Sequence, residues 1–252
     1  IVSENVVIDG KTFIFQTGRL AGQANGAVEV RLGDTIVLAT AVSSRRDTTL
    51  NYFPLYVEYQ EKLYAGGKIK GSRWVKREGR PSDEAILTAR LIDRSLRPLF
   101  PKDYHREVQV VVTVLSVDGE NDSDIPALLA ASAALAISDI PWGGPVGAVR
   151  VGAKEDSLFA NPVYNEKEFS ELDLVVSGKK DAIVMVEAGA KEVAEETVGE
   201  ALVFAQEKIK TVVLAIENLV KKAGKAKQTI LIRKPEAKIV AEIEKEARPV
   251  IE

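Results

Sequence analysis

The sequence of 252 residues contains no cysteine and only one histidine, His105. The absence of thiols excludes disulfide bonds, thiol nucleophiles and zinc–thiolate sites. With one imidazole and no thiol, catalysis by a Ser-His-Asp or Cys-His arrangement is not expected. Because His105 follows Tyr104 and precedes Arg106 between apolar segments, we interpret it as an exposed loop residue.

A long apolar run and a secretory signal are also missing. The longest mostly apolar stretch, Ile125 to Ile137, is shorter than the roughly 20 residues that a membrane span requires. We therefore expect a soluble, cytoplasmic protein with no membrane partner. The sequence begins with Ile1 rather than methionine, and we expect a trimmed or incomplete chain.

A strong overall charge is lacking as well, because the net charge is only −3. The charge is unevenly distributed, however. Between Lys62 and Arg106 there are 12 Lys or Arg against 5 Asp or Glu, a local excess of +7, which leaves −10 for the remainder. This band is typical of an anion-binding surface. The alternative is that long basic side chains only solvate one face of the protein.

The strand pattern begins with two hairpins. Asp9-Gly10 and Gly33-Asp34 each separate two apolar runs, which is a strong hairpin signal. Residues Leu55 to Tyr59 predict a further strand. The β-branched run Glu107 to Val117 predicts a central strand buried on both faces.

Helical signals interrupt and follow these strands. Ser82 is a plausible cap for a helix that ends near Arg97, because Pro98 follows. The small residues of Pro126 to Ile137 predict a helix between two layers. Further strands are predicted at 146–151, 172–176 and 182–187, and further helices at 191–222 and 235–248.

These elements predict an α+β sandwich rather than a doubly wound fold. We expect one domain over residues 1–141, a second lobe over 142–222, and a linker with the beginning of a helical domain over 223–252.

Four carboxylates crowd the loop after the predicted central strand: Asp118, Glu120, Asp122 and Asp124. They could bind a metal ion or cap the following helix, and we favour capping. Because like charges repel, we also expect a cation or a nearby lysine to accompany them.

The basic band contains two notable groups of residues. Residues 73–80 combine four cations with Trp74, a composition that could hold phosphates and stack on a base. On the following helix, Arg90, Arg94 and Arg97 form one row. We favour a polyanionic strand as their ligand, because arginine binds phosphate bidentately. The alternative is an internal network with Glu84 and Asp93.

Several long motifs now resemble the polynucleotide phosphorylase family, whose members are polyribonucleotide nucleotidyltransferases. The strongest are Lys76-Arg77-Glu78-Gly79-Arg80-Pro81-Ser82 and the run Leu87 to Pro101. Shorter matches lie at Gln16 to Ala21, Gln23 to Val28 and Gly33 to Thr35.

The resemblance implies an RNase PH-like fold, a β-α sandwich of the ribosomal protein S5 domain 2-like type. It comprises two lobes followed by part of an all-helical domain. It also implies a homotrimeric ring that degrades single-stranded RNA from the 3′ end, with inorganic phosphate as co-substrate. A full chain of this family carries a second RNase PH-like core, and the resemblance places this sequence in the first.

The sequence departs from the family's catalytic pattern. Residues 119–124 replace a phosphate-binding loop with carboxylates, which repel phosphate. The metal pattern needs two acids six residues apart and a lysine two residues after the second. Asp173 matches the second acid, but Lys167 and Val175 occupy the other two places. We therefore expect that this core is not catalytic and that Mg²⁺ belongs to the second core.

The same resemblance assigns RNA contacts. Trp74 to Arg77 resembles a pore-constriction loop that usually has two aromatics and two arginines, so here one ring is lost and one arginine is a lysine. The candidate RNA-binding residues are Trp74, Lys76, Arg77, Arg80, Arg90, Arg94 and Arg97. Other RNA-decay proteins are expected as partners. Two alternatives stay open, a self-sufficient exoribonuclease and a purely structural scaffold.

Overall fold

The first lobe is built on a six-stranded sheet with helices on one face. The computed structural model describes residues 1–50, 52–69, 79–155, 157–229 and 236–251. The strands lie in the order β1-β2-β3-β4-β6-β5, and only β5 and β6 are parallel to each other. Their bounds are β1 Val2–Ile8, β2 Lys11–Thr17, β3 Gly26–Leu32, β4 Thr35–Asp47, β5 Leu55–Glu61 and β6 Arg106–Ser116.

Both predicted hairpins are confirmed. Ile8 pairs with Lys11 across the first turn, and Leu32 pairs with Thr35 across the second. The first turn has left-handed backbone at Asp9 (φ 47°) and Gly10 (φ 76°), a conformation that Asp-Gly pairs accept at low cost.

The predicted strand at 107–117 is confirmed as β6, but the prediction that both of its faces are buried is wrong. Val108, Val110, Val112 and Val114 are buried, whereas Glu107 and Gln109 on the opposite face are exposed. The strand lies second from the edge of its sheet, and helix α2 (Asp124–Ile137) packs against one face only. The β-branched composition therefore reflects strand propensity more than burial.

Helix α2 forms the centre of the molecule, as the sequence predicted. All of its residues are buried, and it contacts β3 and β4 on one side and strand β7 (Gly147–Lys154) with helix α4 (Glu195–Ala223) on the other. Small side chains allow this close approach. A Cβ added at Gly26 on β3 would lie 2.0 Å from the backbone oxygen of Ala134.

Helix α1 (Asp83–Leu96) begins and ends as predicted. The Ser82 hydroxyl accepts a hydrogen bond from the Ala85 amide at 3.0 Å, and Asp83 and Glu84 occupy the first turn. The helix ends before Arg97 and Pro98. Its buried face includes Ala85, Ile92 and Leu96, whose spacing along the sequence is that of one face of a helix.

The second lobe has a four-stranded antiparallel sheet in the order β10-β9-β7-β8. Strands β7, β9 (Leu172–Gly178) and β10 (Ile183–Ala190) lie where predicted, and the predicted long helix is α4. Two short elements escaped prediction, β8 (Ser157–Ala160) and α3 (Tyr164–Glu168). The α+β class is therefore confirmed.

The segment after α4 returns to the first lobe. The Lys227 ammonium donates hydrogen bonds to the backbone oxygens of Leu135, Ala136 and Ser138, at 2.8, 3.0 and 2.7 Å. These carbonyls lie at the end of α2, where cations are favourable. The final predicted helix is α5 (Ala237–Ile251). No helix within the described ranges is long and apolar enough to cross a membrane.

Replacing Gly26 with alanine should test the close contact between β3 and α2. We expect Gly26→Ala to lower the free energy of unfolding by about 1–3 kcal/mol, because the helix backbone must move away from the added methyl group. Gly22→Ala is the matched control, since no atom lies within 4 Å of its added Cβ. Urea unfolding measures both, and equal stability of the two variants would contradict the packing described.

Candidate functional site

The carboxylate loop between β6 and α2 is organised by Asp118. Its side chain accepts hydrogen bonds from the amides of Glu120 (2.9 Å) and Asn121 (2.8 Å), and from the Asp34 amide of the second hairpin (3.2 Å). Burial alone would raise the pKa of Asp118, but these hydrogen bonds, together with those from Asn121 and Thr35 side chains, hold it well below its ordinary value. Asp118 therefore shapes the loop and is fully engaged by it.

Asp122 and Asp124, further along the same segment, face a pair of cations. The Arg150 guanidinium on β7 hydrogen-bonds to Asp124 and to Asp173 on β9, and lies 4.0 Å from Asp122. The Lys167 ammonium on α3 is 2.8 Å from the Asp122 carboxylate. We call Asp122, Asp124, Arg150, Lys167 and Asp173 the Arg150 cluster. It joins the loop of the first lobe to the sheet of the second.

Burial gives the Arg150 cluster unusual electrostatics. Arg150 is only 9% exposed and Asp124 only 7%. Burial would lower the pKa of Arg150, but the charges of Asp124, Asp173 and Asp122 raise it, so the guanidinium stays charged. Burial raises the pKa of Asp124 even against the charge of Arg150. Asp122 has a lowered pKa, because the Lys167 and Arg150 charges outweigh its burial.

The partners of these carboxylates test two predictions made from the sequence, an accompanying cation and helix capping. The expectation of an accompanying cation is confirmed by Arg150 and Lys167. The preferred capping role is confirmed in part: the N-cap of α2, Ser123, makes no side-chain cap hydrogen bond, but the Asp122 carboxylate accepts from the Asp124 amide at 3.5 Å. Asp124 does accept from the Ile125 amide at 2.6 Å, but its other oxygen binds Arg150. Sequence reasoning missed Arg150, although a lone arginine in the apolar run of β7 was a usable signal.

The donor set does not fit a divalent cation. Mg²⁺ binds through carboxylate oxygens that are free to coordinate it. Here the Asp122, Asp124 and Asp173 carboxylates already bind Arg150 or Lys167. Within the described ranges, no three Asp, Glu or His side chains are placed to hold a metal ion. Three acids against two cations leave the cluster with a formal charge of −1, which disfavours an incoming phosphate.

Arg90 and Arg94 of the predicted arginine row lie on the exposed face of α1, and Arg97 follows directly after its end. The three arginines differ in their partners. Arg97 forms two hydrogen bonds with Asp93, at 2.6 and 2.8 Å. Arg94 pairs with Glu187 on β10. Arg90 and Arg80 have no ion pair or hydrogen bond with any other residue that the structure describes. The alternative of an internal arginine–carboxylate network therefore holds for Arg97, which pairs with Asp93. It does not hold for Arg90 among the residues that the structure describes.

A groove runs between α1 and the edge strand β5. It comprises two adjoining cavities of about 540 and 440 Å³, which share Glu58, Tyr59, Pro81 and Ala85 as lining residues. Arg80 lines the first cavity, and Arg90 and Arg94 line the second. The structure therefore brings three of the predicted RNA-binding residues to one groove. Trp74, Lys76 and Arg77 lie outside the described residues.

Removing the Arg150 charge should destabilise the protein in a pH-dependent way. We expect Arg150→Met to cost about 3–5 kcal/mol at pH 7, because buried carboxylates lose their counter-charge. The pKa of Asp124, which burial already raises, then rises further above its unfolded value, so the folded variant binds more protons and its deficit shrinks between pH 7 and pH 5.

Urea unfolding at both pH values measures this effect. Arg31→Met is the matched control, because Arg31 forms an exposed pair with Asp34 and should cost at most about 1 kcal/mol. A deficit for Arg150→Met that is small at pH 7, or that does not change with pH, would contradict the cluster's role.

Comparison with known proteins identifies the family of this chain. Residues 9–141 match the model of the 3′ exoribonuclease family, domain 1, and residues 144–208 match domain 2. A polyribonucleotide nucleotidyltransferase of Caldicellulosiruptor bescii is 53% identical over 219 residues, which are 86% of this chain and 31% of that protein. One from Geobacillus kaustophilus is 48% identical over 239 residues, 95% of this chain and 33% of that protein.

The chain thus spans about a third of the length of these relatives. A solved structure described as the Archaeoglobus fulgidus exosome with RNA bound to the active site has a similar fold, with a TM-score of 0.63 at 18% identity. The similarity covers 83% of this chain and 87% of that one. The resemblance read from the motifs and the RNase PH-like fold are both confirmed. This chain belongs to the 3′ exoribonuclease family and carries both of its domains.

Proposed function

We propose that this chain is a non-catalytic core of a phosphorolytic 3′-to-5′ exoribonuclease, where it positions single-stranded RNA and builds the ring. The observation that carries this proposal is the Arg150 cluster. Two protein cations, Arg150 and Lys167, pair with Asp122 and Asp124 after β6, the region that corresponds by resemblance to the phosphate loop of an active core.

Catalysis at this cluster would require groups that the chain does not offer. An attacking phosphate needs compensating positive charge, and a divalent cation needs free carboxylate oxygens. Arg150 and Lys167 are both engaged by acids, and the cluster keeps an excess of one negative charge. We therefore place Mg²⁺ and the co-substrate phosphate at the second core of the longer protein.

RNA positioning is supported by the charge distribution. The sequence band with the +7 excess includes α1, and Arg80 and Arg90 of this band remain available beside the groove. Arginine favours phosphate oxygens, and exposed aromatic rings favour bases. The relatives' name, polyribonucleotide nucleotidyltransferase, agrees with a polyanionic substrate. Trp74, Lys76 and Arg77 complete the proposed RNA contacts.

The wider assembly follows from the same proposal. We place the chain in a homotrimer in the cytoplasm, together with the second RNase PH-like core of the same polypeptide. Its role there is mRNA degradation alongside other RNA-decay proteins. The face of β6 that carries Glu107 and Gln109 is not covered by α2 and is open to such contacts.

A structural scaffold is the second candidate, and one observation favours it. Arg94 and Arg97, two of the three arginines in the row, are already paired with Glu187 and Asp93. If RNA did not use the remaining cations, the row would only join α1 to the second lobe. A self-sufficient exoribonuclease that uses the Asp118 to Asp124 loop is the third candidate.

Binding and turnover should separate in this chain. We expect the protein to bind poly(A) with a salt-dependent affinity but to release no nucleoside diphosphate when phosphate and Mg²⁺ are supplied. Arg77→Ala with Arg90→Ala should weaken binding and reduce the slope of log K against log salt by about 0.7 for each RNA phosphate that is no longer neutralised. Anisotropy and ADP release measure the two properties, with Arg31→Ala as the matched control.

Robust ADP release that Asp122→Ala abolishes, with RNA binding intact, would overturn the non-catalytic assignment in favour of the self-sufficient enzyme. Binding that is unchanged in the double variant, or that has no salt slope, would instead favour the scaffold.

A further inference from the structure

Hydrogen bonds join the helix to the strand at both ends of the groove between α1 and β5. At one end, the Arg97 guanidinium donates to the backbone oxygens of Phe53 (3.3 Å) and Leu55 (3.2 Å), where β5 begins. At the other end, the Ser82 hydroxyl donates to the Glu61 carboxylate at 3.2 Å, where β5 ends. The helix is thus tied antiparallel to the strand, and the groove between the ties is preformed.

The second cavity of this groove, of about 440 Å³, has apolar side chains on its wall and charged side chains at its rim. Tyr56 on β5 is 52% exposed, and Ile86 on α1 is 47% exposed; both line the same cavity as half-buried Ala89. Arg90 lines this cavity too, with no partner within the described part of the chain. Exposed apolar surface beside an unpaired guanidinium suits a ligand with a flat apolar face and a nearby negative charge.

Strand β5, which carries Tyr56, is anchored in the core through Tyr59. The Tyr59 hydroxyl and the Ser123 hydroxyl are 2.7 Å apart, and both residues are buried. Side chains alternate along a strand, so Tyr56 points away from the face that carries Tyr59. The Tyr56 ring is therefore presented by a rigid strand at the sheet edge, and binding does not require that strand to rearrange.

The charged residues that line the groove indicate which class of ligand it can bind. Its lining residues include five cations and three acids: Lys62, Lys68, Arg80, Arg90, Arg94, Glu58, Glu61 and Asp93. Asp93 and Arg94 are paired, with Arg97 and Glu187 respectively, and the other charged lining residues are four cations and two acids. The groove thus favours an anion over a basic or neutral peptide. A nucleotide unit offers both the flat apolar face and the anionic group.

We propose that Tyr56 stacks on a base of single-stranded RNA whose backbone phosphates lie on Arg90 and Arg80. This inference rests on the proposed RNA-positioning function and assigns it a positioning residue that the sequence motifs did not mark. The ring supplies a stacking surface on the sheet edge, separate from the loop that carries Trp74. Stacking of this kind tolerates any base, because every base has an aromatic face.

The test compares oligo(A) binding by the protein and three variants, using fluorescence anisotropy. We expect Tyr56→Ala to weaken binding about tenfold, the lower part of the range for one base–aromatic stack. Tyr56→Phe should bind like the wild type, because the ring remains. Tyr52→Ala is the matched control, since Tyr52 is 64% exposed but does not line the groove.

An abasic substitution placed in turn at each position of the oligonucleotide supplies a second measurement. At one position it should weaken wild-type binding about tenfold and leave Tyr56→Ala binding unchanged, because both changes remove the same stacking interaction. Thermal unfolding should show equal stability for all variants.

The outcomes separate this inference from the function on which it rests. If Tyr56→Ala binds like the wild type while Arg77→Ala with Arg90→Ala still weakens binding, the stacking role is overturned and RNA positioning stands. Equal losses in Tyr56→Ala and Tyr52→Ala also overturn it, since the effect is then not specific to the groove. If the wild type binds no RNA, both proposals fall.

Discussion

Arg150 joins the two lobes of this chain through charge. Its guanidinium is buried among Asp122 from the loop before α2, Asp124 at the start of α2 and Asp173 from the second sheet. A buried charge without partners is costly, so each member of the Arg150 cluster requires the others. The start of the central helix, the carboxylate loop and the second sheet are consequently fixed relative to each other. Tyr59 connects this centre to the edge strand β5 through Ser123, and so to the groove beside α1.

The same interaction underlies the proposal that this core is not catalytic. Asp122 and Asp124 are paired with Arg150 and Lys167, whereas Arg80 and Arg90 at the groove keep their charges available. In the proposed function, the chemistry lies outside this cluster and the polyanion binds along the groove.

Local chemistry predicted much of the fold. The Asp-Gly and Gly-Asp turns, the Ser82 cap and the stop at Pro98 act through neighbouring residues, so the sequence alone located both hairpins and α1. Arg150 depends on partners 23 to 28 residues away, Lys167 on one 45 residues away and Arg94 on one 93 residues away; no local pattern indicates these pairings. The β6 composition could not show which face a helix would cover. Four-residue β8 and five-residue α3 are too short to leave a period.

The central claim is that protein cations occupy the place that a divalent ion would need. Mn²⁺ binding, followed by electron paramagnetic resonance of the free ion at neutral pH, tests it most directly. The account predicts no stoichiometric Mn²⁺ site that depends on Asp122, Asp124 or Asp173, so wild type and Asp173→Asn should give the same titration. One tightly bound Mn²⁺ per chain that is lost in Asp173→Asn would contradict it.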